Sequence, residues 1–231
     1  MVLTLPVREV IDATPRARII RLDLDGHRFS YQPGQAVLVR LGGDAKRRAY
    51  SISAPPEDAQ RQGCLELLVS FGAQPTALLA LEAGTLVEVE GPVGRFTFPV
   101  AVEAQRLVFI AGGTGIAPLR AMLRHALSQP YPDVRLLYSA RTPEEFAYQE
   151  ELAALACAGR IQLKQTITRG ACVSEWNGGY GRFGRNDLND LVDGADTSLY
   201  FLCGPTSMVS DTKRFLSDFG VASDRIRIEQ W

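Results

Sequence analysis

Over the first hundred residues, apolar and polar positions alternate in short runs. The runs "ARIIRLDL" (17–24), "AVLVRL" (36–41), "CLELLVSF" (64–71) and "TLVEVEG" (85–91) follow the two-residue period of strands with a buried face. Asp25-Gly26, Pro33-Gly34, Gly42-Gly43 and Pro55-Pro56 punctuate them as turns. Evenly spaced short strands with such breakers predict a small antiparallel β-barrel. One short helix fits "PTALLALEAG" (75–84), with Pro75 and Thr76 at its start and Gly84 at its end.

From about residue 104 the pattern changes. Continuous apolar strands are predicted at 106–111, 134–140, 161–167, 198–203 and 225–229. Helices are predicted at 116–127, 143–156, 185–192 and 205–220, with a glycine-rich loop after the third strand. Strands apolar throughout and alternating with helices predict an α/β nucleotide-binding domain, a parallel sheet covered on both faces. The expected organisation is therefore a barrel over 1–100 and an α/β domain over 101–231. Their joint falls between Phe98 and Gln105, without repeats or a low-complexity linker.

Composition narrows the partners. The 231 residues suit two domains, and 46% hydrophobic with 22% charged residues is ordinary globular composition. Lys and Arg number 25 against 26 acidic residues, so the net charge of −1 gives no case for nucleic acid or a membrane surface. No 18-residue apolar run predicts membrane insertion, and the first fifteen residues lack the apolar segment of a secretory signal. Cys64, Cys157, Cys172 and Cys203 are scattered without a CxxC, which argues against zinc or an iron–sulfur cluster and for a reducing cytoplasm. His27 and His125 read as surface residues.

The chemistry gathers at one rim. In "IAGGTGIAPLRAML" (110–123), Gly112, Gly113, Thr114 and Gly115 stand between a buried strand and a helix. There, backbone N–H groups and the helix N-terminus can cradle a pyrophosphate; a tight turn without ligand is the plainer alternative. Ligands of open parallel sheets collect beyond the carboxyl ends of the strands. The other strands end there in Ser139-Ala140-Arg141, Thr168-Arg169, Cys203-Gly204-Pro205 and Glu229-Gln230-Trp231. The barrel carries "RRAYSISAPP" (47–56), where Arg48, Tyr50 and Ser51 offer a phosphate partner, a flat ring and a hydroxyl. Arg48 and Tyr50 share a face of an extended chain; a surface Arg beside a half-buried Tyr is the plainer reading.

"RAYS", "GPVGRF" (91–96), "AGGTGIAP" and "FLCGP", in this order and spacing, resemble the ferredoxin–NADP reductase family from about residue 31 to the end. The resemblance implies a non-covalent FAD held by Arg48, Ala49, Tyr50 and Ser51. Arg48 would pair with the pyrophosphate, Tyr50 would stack on the isoalloxazine and Ser51 would bond near N5, with Thr76 at the FAD phosphates. Gly112, Gly113, Thr114 and Gly115 would receive the coenzyme pyrophosphate. Cys203 and Gly204 would lie beside the nicotinamide, with Glu229 and Trp231 closing the pocket. Catalytic work would fall to Ser51, Cys203, Glu229 and Trp231 as orienting and proton-network residues, because the cofactor carries the hydride chemistry. Arg141, Arg169 and Arg182 at the rim favour the 2′-phosphate of NADP(H), with NADH possible.

The expected activity is electron exchange between NADP(H) and a separate ferredoxin or flavodoxin by a cytoplasmic monomer. Alternatives are an NAD(P)H:flavin reductase using free flavin, the reductase component of an oxygenase system, and a non-catalytic docking subunit, against which the intact "RAYS" and "FLCGP" count.

Overall fold

The computed structural model describes residues 1–41, 46–71, 81–101, 104–131, 133–169, 176–192 and 197–230. Its first half holds strands β1 (Val2–Thr14), β2 (Ala17–Asp23), β3 (Ala36–Leu41), β4 (Arg48–Ser51), β5 (Cys64–Ser70) and β6 (Leu86–Val93), with helix α1 (Pro56–Gln62) before β5. The sheet runs β4-β3-β6-β1-β2-β5, every pair antiparallel. Immediately after β4, Ile52 bridges Leu67 of β5 and closes the sheet into the predicted barrel. Alternate residues fill its interior: Leu5 and Val7, Ile20 and Leu22, Val37 and Val39, Leu65, Leu67 and Val69, Val87 and Val89. β5 is buried from Cys64 to Val69, on both faces, because its other face is covered as well. There Leu68, with Ala17 and Ile19 of β2, joins the core of the second half.

Two elements of this half escape the alternation. β1 pairs with β6 through Pro6 and with β2 from Val7 onward, with a register shift between Val7 and Glu9 that breaks the two-residue period. Pro6, which donates no N–H, sits at this change of partner. The Pro55-Pro56 pair, expected as a simple turn, instead starts α1, since a proline in the first turn loses no helical hydrogen bond. Of the helix expected at 75–84, residues 75–80 lie outside the described residues. Residues 81–84 are not helical: Leu81 is buried in the barrel and Ala83-Gly84 form a turn.

The second half is a parallel sheet of β7 (Arg106–Gly112), β8 (Asp133–Ala140), β9 (Gln162–Ile167), β10 (Gly179–Tyr180), β11 (Ser198–Gly204) and β12 (Ile226–Gln230). Strand order is β10-β9-β8-β7-β11-β12. The chain winds outward from β7 to one side and resumes at β11 on the other, so the topological switch lies between β7 and β11. Leu107, Phe109 and Ala111 face one layer with helix α2 (Ile116–Leu127). Val108 and Ile110 face the other, with α4 (Arg185–Val192) and α5 (Thr206–Asp218).

The helix expected at 143–156 is broken. A 3-10 turn, Pro143–Glu145, is followed by Phe146–Tyr148 in non-helical backbone and then by α3 (Gln149–Cys157). Phe146 leaves the helical path to pack edge-on against Tyr138 and stack on Trp176, and Tyr148 adopts a left-handed φ of 61°. The expected glycine-rich loop likewise contains the short strand β10. His125, expected at the surface, is partly buried at the junction of the halves, 2.5 Å from Glu57 and edge-on to Phe98.

Candidate coenzyme and flavin site

The stretch after β7 becomes a 3-10 turn, Gly113–Gly115, running directly into α2. Its glycines are required for different reasons. A Cβ on Gly115 would overlap the Cys203 carbonyl, so this glycine lets the start of α2 press against β11. A Cβ on Gly112 would come 2.6 Å from Met208 Sδ and 2.9 Å from Pro205 Cδ. Gly113 has a left-handed φ of 54° with nothing near its missing Cβ, so this glycine answers a backbone conformation and not a close approach. Tyr138 fixes the loop by donating its hydroxyl to the Gly113 carbonyl at 3.1 Å, while accepting from Ala147 N–H at 3.2 Å.

A cleft of about 620 Å³ opens at this loop. Gly112, Gly113 and Thr114 form one wall, and Arg141, Arg169 and Arg182 stand on the rim. Backbone bonds place these arginines side by side: Arg169 N–H donates to Arg141 O at 2.7 Å, and Gly181 N–H donates to Ile167 O at 2.8 Å. All three are exposed, and their side chains form no ion pair among the described residues. A glycine turn at the N-terminus of α2 beside three exposed guanidiniums suits a phosphorylated ligand.

The far wall comes from the barrel: Thr14, Arg16, Ala17, Ser70 and Phe71. None of these was expected at the site. Arg16 and Phe71 carry no motif, and only the packing of β2 and β5 against the second half brings them there. Arg16 approaches Glu145, also in the cleft, at 4.0 Å.

A second constellation lies where the barrel meets β11 and β12. Cys203 and Glu229 are register partners on these strands, with Sγ 3.7 Å from Oε2, and Ser51 hydrogen-bonds to the same carboxylate. Burial pushes the Glu229 carboxyl above its ordinary range, only partly opposed by the bonds from Cys203 and Ser51. Burial, reinforced by Glu229, likewise pushes the Cys203 thiol up, so it stays protonated. Three expected residues thus meet across the two halves.

Arg48 and Ala49 are exposed on β4, whereas Tyr50 is half-buried against the barrel core. β4 is the edge strand of its sheet, pairs with β3, and presents an exposed guanidinium at Arg48. That guanidinium, two residues from the Tyr50 ring on an extended strand, fits a flat anionic cofactor. Gly204 is buried at the switch point, where a Cβ would stand 3.1 Å from Gly112 Cα. The RAYS residues, Gly115 and Cys203 do not line the arginine-rimmed cleft, and Thr76 and Trp231 lie outside the described residues. None of the described helices is long and apolar enough to cross a membrane.

Two families match the chain: the oxidoreductase FAD-binding domain over residues 4–98 and the oxidoreductase NAD-binding domain over residues 109–214. Ferredoxin–NADP reductase B of Sorangium cellulosum (strain So ce56) is 33% identical over 217 residues, 90% of this chain and 88% of its own length. The crystal structure of an Amycolatopsis cytochrome P450 reductase superposes with a TM-score of 0.87 at 25% identity, covering all of this chain and 69% of that one. A ferredoxin NADP⁺ reductase from Neisseria gonorrhoeae, solved with FAD and NADP bound, shares the fold with a TM-score of 0.80 at 21% identity, over 99% of this chain and 98% of its own. The chain belongs to the ferredoxin–NADP reductase family of FAD- and NAD(P)-dependent oxidoreductases.

Proposed function

We propose that this member of the family is a monomeric cytoplasmic reductase that takes electrons from NADPH and delivers them to a separate ferredoxin or flavodoxin. FAD stays on a barrel ending near residue 100. The observation that carries the reading is the junction of Ser51 with Glu229 and Cys203 beside the arginine-rimmed cleft. Bound there, FAD would supply a hydride acceptor for the reduced nicotinamide and a source of single electrons for the carrier, the proton being released.

The chain's own residues prepare the geometry. Arg48 would pair with the FAD pyrophosphate, and Ala49 and the Tyr50 ring would hold the isoalloxazine. The Gly113–Thr114 turn receives the coenzyme pyrophosphate, and Arg141, Arg169 and Arg182 take the 2′-phosphate. Ser51 and the raised carboxyl of Glu229 hold a proton near the reacting ring, and the Cys203 thiol, kept neutral, gives the nicotinamide a compact apolar neighbour. The Sorangium relative's name supports a ferredoxin as acceptor. The Amycolatopsis structure's name favours a second reading, the reductase component of an oxygenase system.

Desalted protein is expected to stay yellow with one FAD per chain and to be bleached by NADPH faster than by NADH. Steady-state assays with ferredoxin, flavodoxin, cytochrome and free flavin then identify the acceptor. A protein that loses all flavin on desalting, yet reduces added flavin, overturns the reading in favour of a free-flavin reductase.

A further inference from the structure

α2 carries a buried arginine that the chemistry above does not use. The helix otherwise buries Ile116, Leu119, Met122 and Leu123, yet Arg120 is only 7% exposed. Its Nη1 donates to the Ser53 carbonyl and to Glu66 Oε1, each at 2.8 Å, both in the barrel. Its Nε donates to Glu151 Oε2 of α3 at 2.8 Å, and its Cζ lies 4.1 Å from the centroid of the Tyr148 ring. Glu66 is itself held by Arg21 at 2.9 Å, the Ser53 hydroxyl at 3.0 Å and the Tyr148 hydroxyl at 3.2 Å. A buried ion network of this kind is seldom more stable than well-packed apolar side chains of the same volume. What it does supply is directional: a planar fork bonded on two sides fixes both distance and orientation.

We propose that Arg120 is a positioning residue that holds the coenzyme loop in register with the strand bearing Ser51. The placement is direct. Arg120 follows the Gly112–Gly115 loop by little more than one helical turn, and Ser53 follows Ser51 by two residues. One guanidinium therefore ties the wall that receives the coenzyme to the strand beside the flavin. Hydride donor and acceptor are carried by different halves, so any slip between the halves becomes a slip between the rings. A displacement of about 1 Å costs on the order of a hundredfold in rate. This rests on the proposed placement of FAD on the barrel and coenzyme on the glycine loop.

The test compares FAD-loaded wild type with Arg120→Met and Arg120→Lys. In stopped flow with saturating NADPH, Arg120→Met is expected to slow flavin reduction about a hundredfold, while the Kd for NADP⁺ stays within about threefold. The long-wavelength charge-transfer band, which reports ring overlap, should vanish. Without coenzyme, hydrogen exchange should quicken where Arg120 is bonded, at β4–β5, α3 and the first turns of α2, and stay unchanged in the strands far from it. Arg120→Lys keeps the charge but loses the fork, and should fall about tenfold in rate. A variant reduced at the wild-type rate, or one whose rate falls only because its Kd rises, overturns the proposal. If Arg120→Met fails to fold, Arg120→Lys decides by the same criteria. Wild type that NADPH cannot bleach overturns the functional reading and the proposal together; normal wild type with a normal variant overturns the proposal alone.

Discussion

At the seam between barrel and parallel sheet, Arg120 and Arg124 are each held by two carboxylates: Arg120 by Glu66 and Glu151, Arg124 by Asp58 and Glu151. At the rim of the cleft, Arg141, Arg169 and Arg182 are exposed and form no ion pair among the described residues. The residue type is the same, but the electrostatic state is opposite. A buried guanidinium must be neutralised within the fold, since a lone buried charge costs several kcal/mol. An exposed guanidinium is neutralised by water and ions, and so remains available to a ligand phosphate. Seam arginines should therefore control stability and register, and rim arginines affinity for coenzyme.

The largest effect is expected at the seam. Glu66→Leu leaves Arg120 without its barrel carboxylate and should lower the unfolding free energy by about 3–5 kcal/mol, read from denaturant midpoints. The loss should depend on pH. Burial pushes the Glu66 carboxyl up, but Arg120 and Arg21 outweigh it and hold it below its ordinary value of 4.5. A depressed carboxyl contributes its stability above the unfolded value and loses it as pH falls through the folded one. The gap between wild type and Glu66→Leu should be full at neutral pH and shrink progressively below about pH 4.5. A gap that is constant down to acid unfolding would mean that packing, not charge, holds the seam.

The rim should respond in affinity instead. Arg141→Ala is expected to weaken NADPH by about 1.5–3 kcal/mol, roughly 10- to 150-fold, and to leave NADH nearly unchanged. Its unfolding midpoint should stay within about 0.5 kcal/mol of wild type, as for other exposed sites. Equal losses for both coenzymes would remove the 2′-phosphate from this rim. A loss of stability matching that of Glu66→Leu would erase the distinction between the two regions.

Rim and seam were not equally legible in the sequence. Arg141 and Arg169 follow expected strands, so the rule that ligands sit at strand ends finds them without a structure, whereas Arg182 falls in a glycine-rich loop that proves to hold the short strand β10. The barrel's alternation and the glycine loop are legible for the same local reason. Arg120 is not, because a charged residue in an amphipathic helix normally faces water. Its partners stand 54 and 31 residues away, at Glu66 and Glu151, and no local period encodes that. β1 is hidden by Pro6 and a register shift, and the break at Phe146–Tyr148 by the helical composition around it. Local order is written in periodicity, whereas the seam and the barrel wall of the cleft arise only when two faces meet.

Arg16 tests the comparison at its weakest point, since it belongs to the barrel yet stands in the cleft. The β1–β2 turn fixes its backbone: its N–H donates to Thr14 Oγ1 at 3.1 Å and its carbonyl accepts from Phe71 N–H at 2.7 Å. Its side chain is 51% exposed and lies 4.0 Å from Glu145, at the limit of an ion pair. Such a pair is worth about 0.2–1 kcal/mol, so Arg16→Ala should barely change stability. Its consequence is electrostatic. Losing Arg16 leaves Glu145 uncompensated in the cleft, where a carboxylate repels a 2′-phosphate but accepts a ribose hydroxyl. Arg16→Ala should therefore shift kcat/KM toward NADH by up to about fivefold, the equivalent of about 1 kcal/mol. The double variant Arg16→Ala/Glu145→Gln should restore most of the preference. If the single variant weakens both coenzymes alike, Arg16 instead meets a part common to both. If it changes neither, the barrel wall is only the boundary of the cleft, and coenzyme choice rests with the parallel sheet.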